Sequence, residues 1–359
     1  MIGVNNKTKI YMVKKHTHQR KVHRRRVLWW IIATLVALCV ITLLAFRFSP
    51  WPGALIIRTA FNRGSAKTLQ GLQGHAPAHP VSVIANQQYR KNDRDAQLDV
   101  YVPQAATAGS SLPVVVWTHG GAWLSGDKAN VAPYYKLLAD QGFVVISLNY
   151  SLAPGRTYPT QLQQLNAAYA YIQANAIRFH ADTNKIVLAG DSAGSQLSSQ
   201  MAAIITNPPY AQAVNIQPTL APSQLAGVVL FCGIYKVEGL TEAGPKIPKI
   251  VSWGSDVSVW AYIGSRDKKS PLIREASTYY HVNKDFPATF ISGGNGDSLT
   301  NAQSVPLAQE LQSLNVDVTT LFYPANHAPS LPHEYQFTLN ADGQNAFTQM
   351  VQFLRKHSL

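Results

Sequence analysis

The chain reads as an α/β protein built on an eight-stranded, mostly parallel sheet with helices on both faces. Three features of the sequence predict this. Eight short apolar or β-branched runs recur between residue 81 and residue 324. Most are continuously apolar rather than alternating, as strands buried on both faces must be. Helix-like segments separate the last six, and strand–helix alternation is the pattern of parallel pairing through crossover connections.

VSVIANQQY (81–89) and LDVYVP (98–103) flank the polar turn RKNDRDAQ, so an antiparallel pair is expected there. LPVVVWTHG (112–120) is a buried strand, YYKLLADQG (134–142) a helix ending at glycine, and FVVISLNY (143–150) the next strand. QLQQLNAAYAYIQANAI (161–177) is helical in composition, and KIVLAG (185–190) is a strand running directly into the helix SAGSQLSSQMAAII. AGVVLFCG (226–233), ATFISGG (288–294) and VTTLFYP (318–324) complete the strands. Phe347, Met350, Val351 and Leu354 keep i, i+3, i+4, i+7 spacing, the mark of an amphipathic terminal helix. Two stretches depart from the alternation: 207–224, rich in Pro, Asn and Gln, and 235–287, which carries Trp253, Trp260 and Tyr262. The second reads as an insertion walling the site.

Hydrophobic residues make up 46% of the 359 residues and charged residues 14%, a core-forming composition. The formal net charge of +13 is unevenly placed. Residues 1–26 hold nine Lys or Arg and no acid; the first carboxylate is Asp93; residues 93–359 carry 16 basic and 18 acidic residues. The basic excess therefore lies outside the folded body, which argues against a nucleic-acid-binding face. Cys39 and Cys232 are not expected to meet, so no disulfide framework is predicted.

Val27 to Phe46, VLWWIIATLVALCVITLLAF, contains no charge. At about 1.5 Å per residue it spans roughly 30 Å, the thickness of a bilayer's hydrocarbon core. Trp29 and Trp30 sit at its entry end, and the basic run KVHRRR precedes it. By the positive-inside rule the N-terminus is expected in the cytoplasm and the body outside the cell. The apolar run is longer than a signal peptide's, and RFSPWPGA offers a poor cleavage site. The expected organisation is a basic cytoplasmic tail (1–26), a transmembrane anchor (27–46), a linker or cap segment (47–80) and a catalytic domain (81–359). His16, His18 and His23 read as part of a solvated tail beside anionic lipid. WPGALIIRTAFNRG, in the linker, fits a helix lying on the membrane or over the active site, and the sequence does not separate the two.

Gly190-Asp191-Ser192-Ala193-Gly194 fits G-x-S-x-G between an apolar strand and a helix. That context makes a sharp turn lifting the serine hydroxyl above the sheet, with the helix N-terminus favouring negative charge nearby. His119-Gly120-Gly121-Ala122-Trp123 follows another strand directly, and a glycine-rich turn there aims backbone amides at a developing oxyanion. The amides of Gly121, Ala122 and Ala193 are the candidate donors. A serine needs a base, and behind such an elbow the acid and then the histidine follow in the chain. Of the histidines after Ser192, His281 precedes a strand and His357 is terminal, leaving His327 and His333. His327, in FYPANHAPS directly after the last strand, is the expected base; His333 reads as a structural hydrogen-bonder in the same loop. Asp297, in GGNGDSLT after the preceding strand, is the expected acid, ahead of Asp317 and Glu334. Asp191 is too near Ser192 in the chain to serve and reads as structural.

HGGAW, GDSAG, GGNGDSL and the later histidine resemble the hormone-sensitive-lipase-like branch of the α/β-hydrolase fold, which includes acetyl esterases and other carboxylesterases. NYSLAPGRTYPTQL resembles that branch's stretch between oxyanion turn and elbow, and the likeness covers about residues 81–356. The resemblance implies a serine esterase with Ser192, Asp297 and His327 at the triad positions and Gly121, Ala122 and Ala193 at the oxyanion positions. It implies no cofactor and no metal. The expected partners are a small-molecule ester with a short acyl group and, through the anchor, membrane lipid, with no nucleic acid. Ala122 stands where the branch usually has a third glycine, and HGGxW also resembles arylformamidase-like relatives, which leaves an amide or formamide hydrolase as the alternative. A non-catalytic surface-binding protein on the same fold is the other.

Overall fold

The computed structural model describes residues 6–107, 109–240 and 248–359, with the side chains of 6–17 and 19–22 also outside the description. Part of the expected tail, including the His16 side chain, and part of the 235–287 insertion therefore lie outside the described residues. The chain forms two compact units, Met1–Pro52 and Gly53–Leu359.

The first unit holds the helix α1 (Asn6–Phe48), so the described part of the expected tail continues helically into the apolar stretch. His23–Phe48 is long and apolar enough to cross a membrane. At 1.5 Å per residue it extends roughly 39 Å. Its two threonines return their hydroxyls to the helix, Thr34 Oγ1 to Trp30 O and Thr42 Oγ1 to Leu38 O, both at 2.8 Å. Such self-satisfaction is what hydrocarbon surroundings require of a polar group.

The second unit takes in α2 (Trp51–Leu72) from Gly53 onward and is built on one sheet. The strands are β1 (Val81–Gln88), β2 (Gln97–Pro103), β3 (Leu112–Thr118), β4 (Val144–Leu148), β5 (Ala181–Asp191), β6 (Leu225–Phe231), β7 (Thr289–Gly293) and β8 (Val318–Phe322). Their spatial order is β1-β2-β4-β3-β5-β6-β7-β8. β2 runs antiparallel to β1 and β4, and every other pairing is parallel. The eight expected strands and the mostly parallel sheet are thus as the residue pattern predicts.

The longer helices are α3 (Ala132–Ala139), α4 (Thr160–Ala174), α5 (Ala193–Thr206), α6 (Lys249–Ile263), α7 (Val305–Ser313) and α8 (Ala341–Ser358). Side chains alternate across a strand, and here both faces are apolar. Val114, Val116, Ile186, Leu188, Val228 and Leu230 pack with α4, α5 and α7. Val115, Trp117, Val187, Ala189, Val229 and Phe231 pack with α3 and α8. This double burial explains the unbroken apolar runs of the central strands. The parallel strands share one carboxyl end, where such sheets bind ligands.

α2 does not behave as a loose linker. Arg58 donates from Nε to Leu124 O at 2.6 Å and from Nη2 to Ala153 O at 3.0 Å, tying the helix to two loops of the body. Gly53 lets α2 approach α6 closely: a Cβ there would lie 2.9 Å from Val257 Cγ1.

Candidate active site

Ser192 follows β5 with φ 51° and ψ −120°, a backbone that only a tightly held turn maintains in a residue with a Cβ. The surroundings hold it. Ser192 N donates to Phe231 O at 2.9 Å, and Ser195 Oγ donates to Gly190 O at 2.6 Å and Phe231 O at 2.8 Å. The flanking glycines are required by space. A Cβ on Gly194 would collide with Thr118 O, and one on Gly190 would lie 2.5 Å from Gly194 C. The elbow is thereby pressed against the end of β3, where the second motif begins.

Gly121, Ala122 and Trp123 take φ values of 104°, 52° and 61° in succession. For the two non-glycine residues this costs on the order of 1 kcal/mol each. The turn is braced accordingly. Trp123 donates Nε1–H to Gln196 Oε1 at 2.9 Å and stacks on Tyr262 with ring centroids 4.3 Å apart. Tyr262 belongs to α6, so the 235–287 insertion supports the oxyanion turn from behind. Gly120 N donates to Asp191 Oδ2 at 2.8 Å and Trp117 Nε1 to Asp191 Oδ1 at 2.7 Å. Asp191 is thus the structural brace between elbow and turn. Burial and the neighbouring Glu334 carboxyl push its pKa well above the usual carboxylate range. The amides of Gly121, Ala122 and Ala193 have no acceptor among the described residues.

His333 Nε2 lies 3.0 Å from Ser192 Oγ, and its Nδ1 lies 2.7 Å from Asp297 Oδ2. A carboxylate only accepts, so Nδ1 carries the proton and Nε2 faces the serine as acceptor. Asp297 Oδ1 accepts from Leu299 N at 2.9 Å, which fixes the carboxylate's orientation. Burial works against the imidazolium of His333, while the Cys232 sulfur and Asp297 work for it, and the net shift is upward. Burial pushes the Cys232 thiol up as well.

The expected base, His327, is elsewhere. Its Nε2 lies 3.1 Å from Asp342 Oδ1 at the start of α8, and its ring rests 4.6 Å from that of Tyr323. The reason is the path of the chain. β8 is three strands from β5 in the sheet, a distance of about 14 Å at ~4.8 Å per strand. Five residues after β8 the loop is still outside the sheet edge. It is carried back by Asn295, which accepts from Leu331 N at 2.8 Å and donates to His327 O at 3.0 Å, and by Gly296 N donating to Leu331 O at 2.9 Å. His333 is the residue that reaches Ser192. One signal for this lies in LPHEYQF: Leu331, Tyr335 and Phe337 are all buried, so this stretch, not NHAPS, dives under the sheet edge.

Cys232, Asp297 and His333 each offer a ligand atom within 4.8 Å of the others. In this arrangement both imidazole nitrogens already have partners, so the ring has none to give a metal without breaking its contact with Ser192 or Asp297. Sequence reasoning missed Cys232 and the four α2 residues Phe61, Gly64, Ser65 and Thr68, which line a cavity beside the oxyanion turn.

A serine elbow, a braced amide turn and a Ser–His–Asp chain at the carboxyl edge of this sheet define an α/β-hydrolase. The family model BD-FAE matches residues 98–311, more than half of the chain. The chain belongs to the BD-FAE family, among the hormone-sensitive-lipase-like α/β-hydrolases. It is 27% identical over 224 residues to the "Probable carboxylic ester hydrolase LipM" of Mycobacterium tuberculosis, covering 60% of this chain and 48% of that protein. It is 32% identical over 187 residues to esterase LipC of the same organism, covering 52% of this chain and 44% of that one. The chain thus spans about half the length of these curated relatives. Esterase B from Lactobacillus rhamnosis superposes with a TM-score of 0.74 at 22% identity, covering 86% of this chain and 96% of the other, a likeness of fold.

Proposed function

We propose that this protein is a serine hydrolase that cleaves carboxylic esters through an acyl-enzyme. Ser192 is the nucleophile, His333 its base and Asp297 the acid that orients the imidazole. The observation that carries the reading is the hydrogen-bonded chain from Asp297 Oδ2 through His333 to Ser192 Oγ. His333 Nε2 takes the serine proton as Oγ attacks the ester carbonyl, and Asp297 stabilises the imidazolium. The amides of Gly121, Ala122 and Ala193 receive the oxyanion. His333 then returns its proton to the departing alcohol and draws the next from water, which frees the acid and restores Ser192. The esterase names among the relatives support ester over amide chemistry.

The apolar helix His23–Phe48, with its preceding basic run, supports a membrane anchor with the N-terminus in the cytoplasm and the hydrolase on the far side. The full chain in detergent should hydrolyse p-nitrophenyl acetate, and Ser192→Ala should abolish this. Undiminished turnover in that variant rules the mechanism out. Matched anilides and formamides hydrolysed faster than esters would favour the amide reading instead.

A further inference from the structure

α2 carries a surface that the hydrolase body does not use. Eight large apolar side chains are exposed among the described residues of Gly53–Leu359. Val83, Ile177 and Leu359 are scattered singly, as on any protein surface. The other five, Leu55, Ile56, Phe61, Ile250 and Val251, lie on α2 and at the start of α6. These two helices adjoin: a Cβ on Gly53 would lie 3.3 Å from Trp253 Cζ2 and 2.9 Å from Val257 Cγ1. Apolar side chains gathered in one place mark an interaction surface, where the same residues scattered do not.

The faces of α2 divide at about 100° per residue. Gly53, Ala54 and Ile57 are buried against the body, and Gly64, Ser65 and Thr68 line the cavity beside Gly120 and Gly121. Leu55 and Ile56, 50% and 53% exposed, straddle the opposite direction. Thr59 and Ala60 continue that outer face, and Arg63 and Lys67 follow one and two turns on, all exposed. α2 has no Asp or Glu. Its outer face is therefore apolar at the start and basic further along.

What covers that face follows from what precedes it in the chain. The apolar helix His23–Phe48 ends three residues before Trp51, where α2 starts. Three residues reach at most about 11 Å, so the first turn of α2 stays beside the bilayer surface whatever its orientation. A helix at that depth buries apolar side chains at the headgroup–acyl boundary, and arginine and lysine beyond them meet lipid phosphates.

We propose that the outer face of α2 lies on the lipid bilayer, with Leu55 and Ile56 in the headgroup–acyl boundary and Arg63 and Lys67 at the phosphates. Resting on the membrane-anchor reading of His23–Phe48, this adds a second, reversible contact to the anchor. A few aliphatic side chains match at most one acyl chain, which binds a membrane only marginally. The contact therefore holds a tethered body, whose effective concentration at the surface is high, and not a free one. The inner face of the same helix lines the cavity at the oxyanion turn, so lipid lies one helix diameter, about 10–12 Å, from that cavity.

The test is fluorescence in lipid nanodiscs, each holding one full-length chain in phosphatidylcholine and phosphatidylglycerol. Cys39→Ser removes the exposed native thiol, Cys232 being buried. A nitrobenzoxadiazole dye is then attached in Leu55→Cys, in Ile56→Cys or in Ile177→Cys. Ile177 is 95% exposed and precedes β5, at the amino end of the sheet, away from the oxyanion turn. Doxyl groups near the top of the acyl chains should quench the dye at positions 55 and 56 by about half or more, and at position 177 by less than about a tenth. Both substitutions on α2 replace exposed side chains, and either one decides the question if the other is not recovered. Quenching there no greater than at position 177, in a chain that still co-purifies with the nanodisc, overturns the surface and leaves the anchor standing. A dye at position 55 that is unquenched by lipid, but shifts to the blue as protein concentration rises in detergent, gives the face to a second copy and overturns lipid as its partner. A chain that enters no nanodisc defeats the anchor reading, and the surface falls with it.

Discussion

Asp297→Asn probes the machinery at its most constrained atom. Asp297 Oδ1 accepts from Leu299 N at 2.9 Å, and Oδ2 accepts from His333 Nδ1 at 2.7 Å. In the asparagine variant the Leu299 amide still needs an acceptor, so the side-chain oxygen stays at the Oδ1 position. The amide nitrogen must then face His333 Nδ1. Two donors cannot meet, so Nδ1 gives up its proton and Nε2 acquires it. An imidazole with Nε2 protonated cannot take the proton of Ser192. The expected loss is about 10⁴-fold in kcat, or roughly 5.5 kcal/mol of barrier. The pH profile carries a second signature. The Cys232 sulfur and Asp297 both favour imidazolium and together hold the His333 pKa above the ordinary 6.5, so losing the Asp297 charge lowers it. The neutral ring is the active form, so kcat/KM of the unmodified enzyme should rise with pH and reach half its plateau above 6.5. In Asp297→Asn the residual activity should rise at lower pH. Hydrolysis of p-nitrophenyl acetate between about pH 5 and 9 measures both effects. A loss below tenfold, or a rise that moves to higher pH, refutes the reasoning.

His333→Ala should lose about 10⁴-fold or more in kcat, whereas His327→Ala should stay within about threefold, since His327 contacts Asp342 and not Ser192; the reverse order would reassign the base. The partly exposed His327–Asp342 contact, its side chains 25% and 18% exposed, should contribute about 1 kcal/mol or less to stability, read by urea unfolding. Gly194→Ala should give no soluble, active protein, because its Cβ would collide with the Thr118 carbonyl; normal expression and activity would contradict the tight elbow. Removing residues 1–48 should release the hydrolase unit from membranes in a flotation assay while p-nitrophenyl acetate turnover persists, and continued flotation would show that Gly53–Leu359 carries its own membrane affinity.

The strands were legible because their chemistry is local. A run such as VVVW in β3 is apolar on successive residues only if both faces are covered, and here they are. The elbow was legible for a related reason: Gly190 and Gly194 mark contacts too close for a side chain, and such contacts recur at fixed spacing around a nucleophile. Asp297 follows its strand directly, so chain order placed it. The base was not legible in this way. Its position depends on how many residues a loop needs to recross from β8, and on Asn295, whose hydrogen bonds to that loop join positions 32 and 36 residues apart. The role of α2 was equally hidden. Its sequence fits a surface helix, and what binds it to the body is Arg58 reaching carbonyls 66 and 95 residues away. Backbone acceptors leave no trace in residue identity.

Catalysis as proposed depends on the reactivity of one hydroxyl, and a fluorophosphonate probe reads it directly. Incubated with the full chain in detergent and analysed by peptide mass spectrometry, the probe should modify Ser192 alone, with labelling lost in His333→Ala and retained in His327→Ala. Labelling that survives Ser192→Ala, or an unmodified Ser192 in the intact protein, would contradict it.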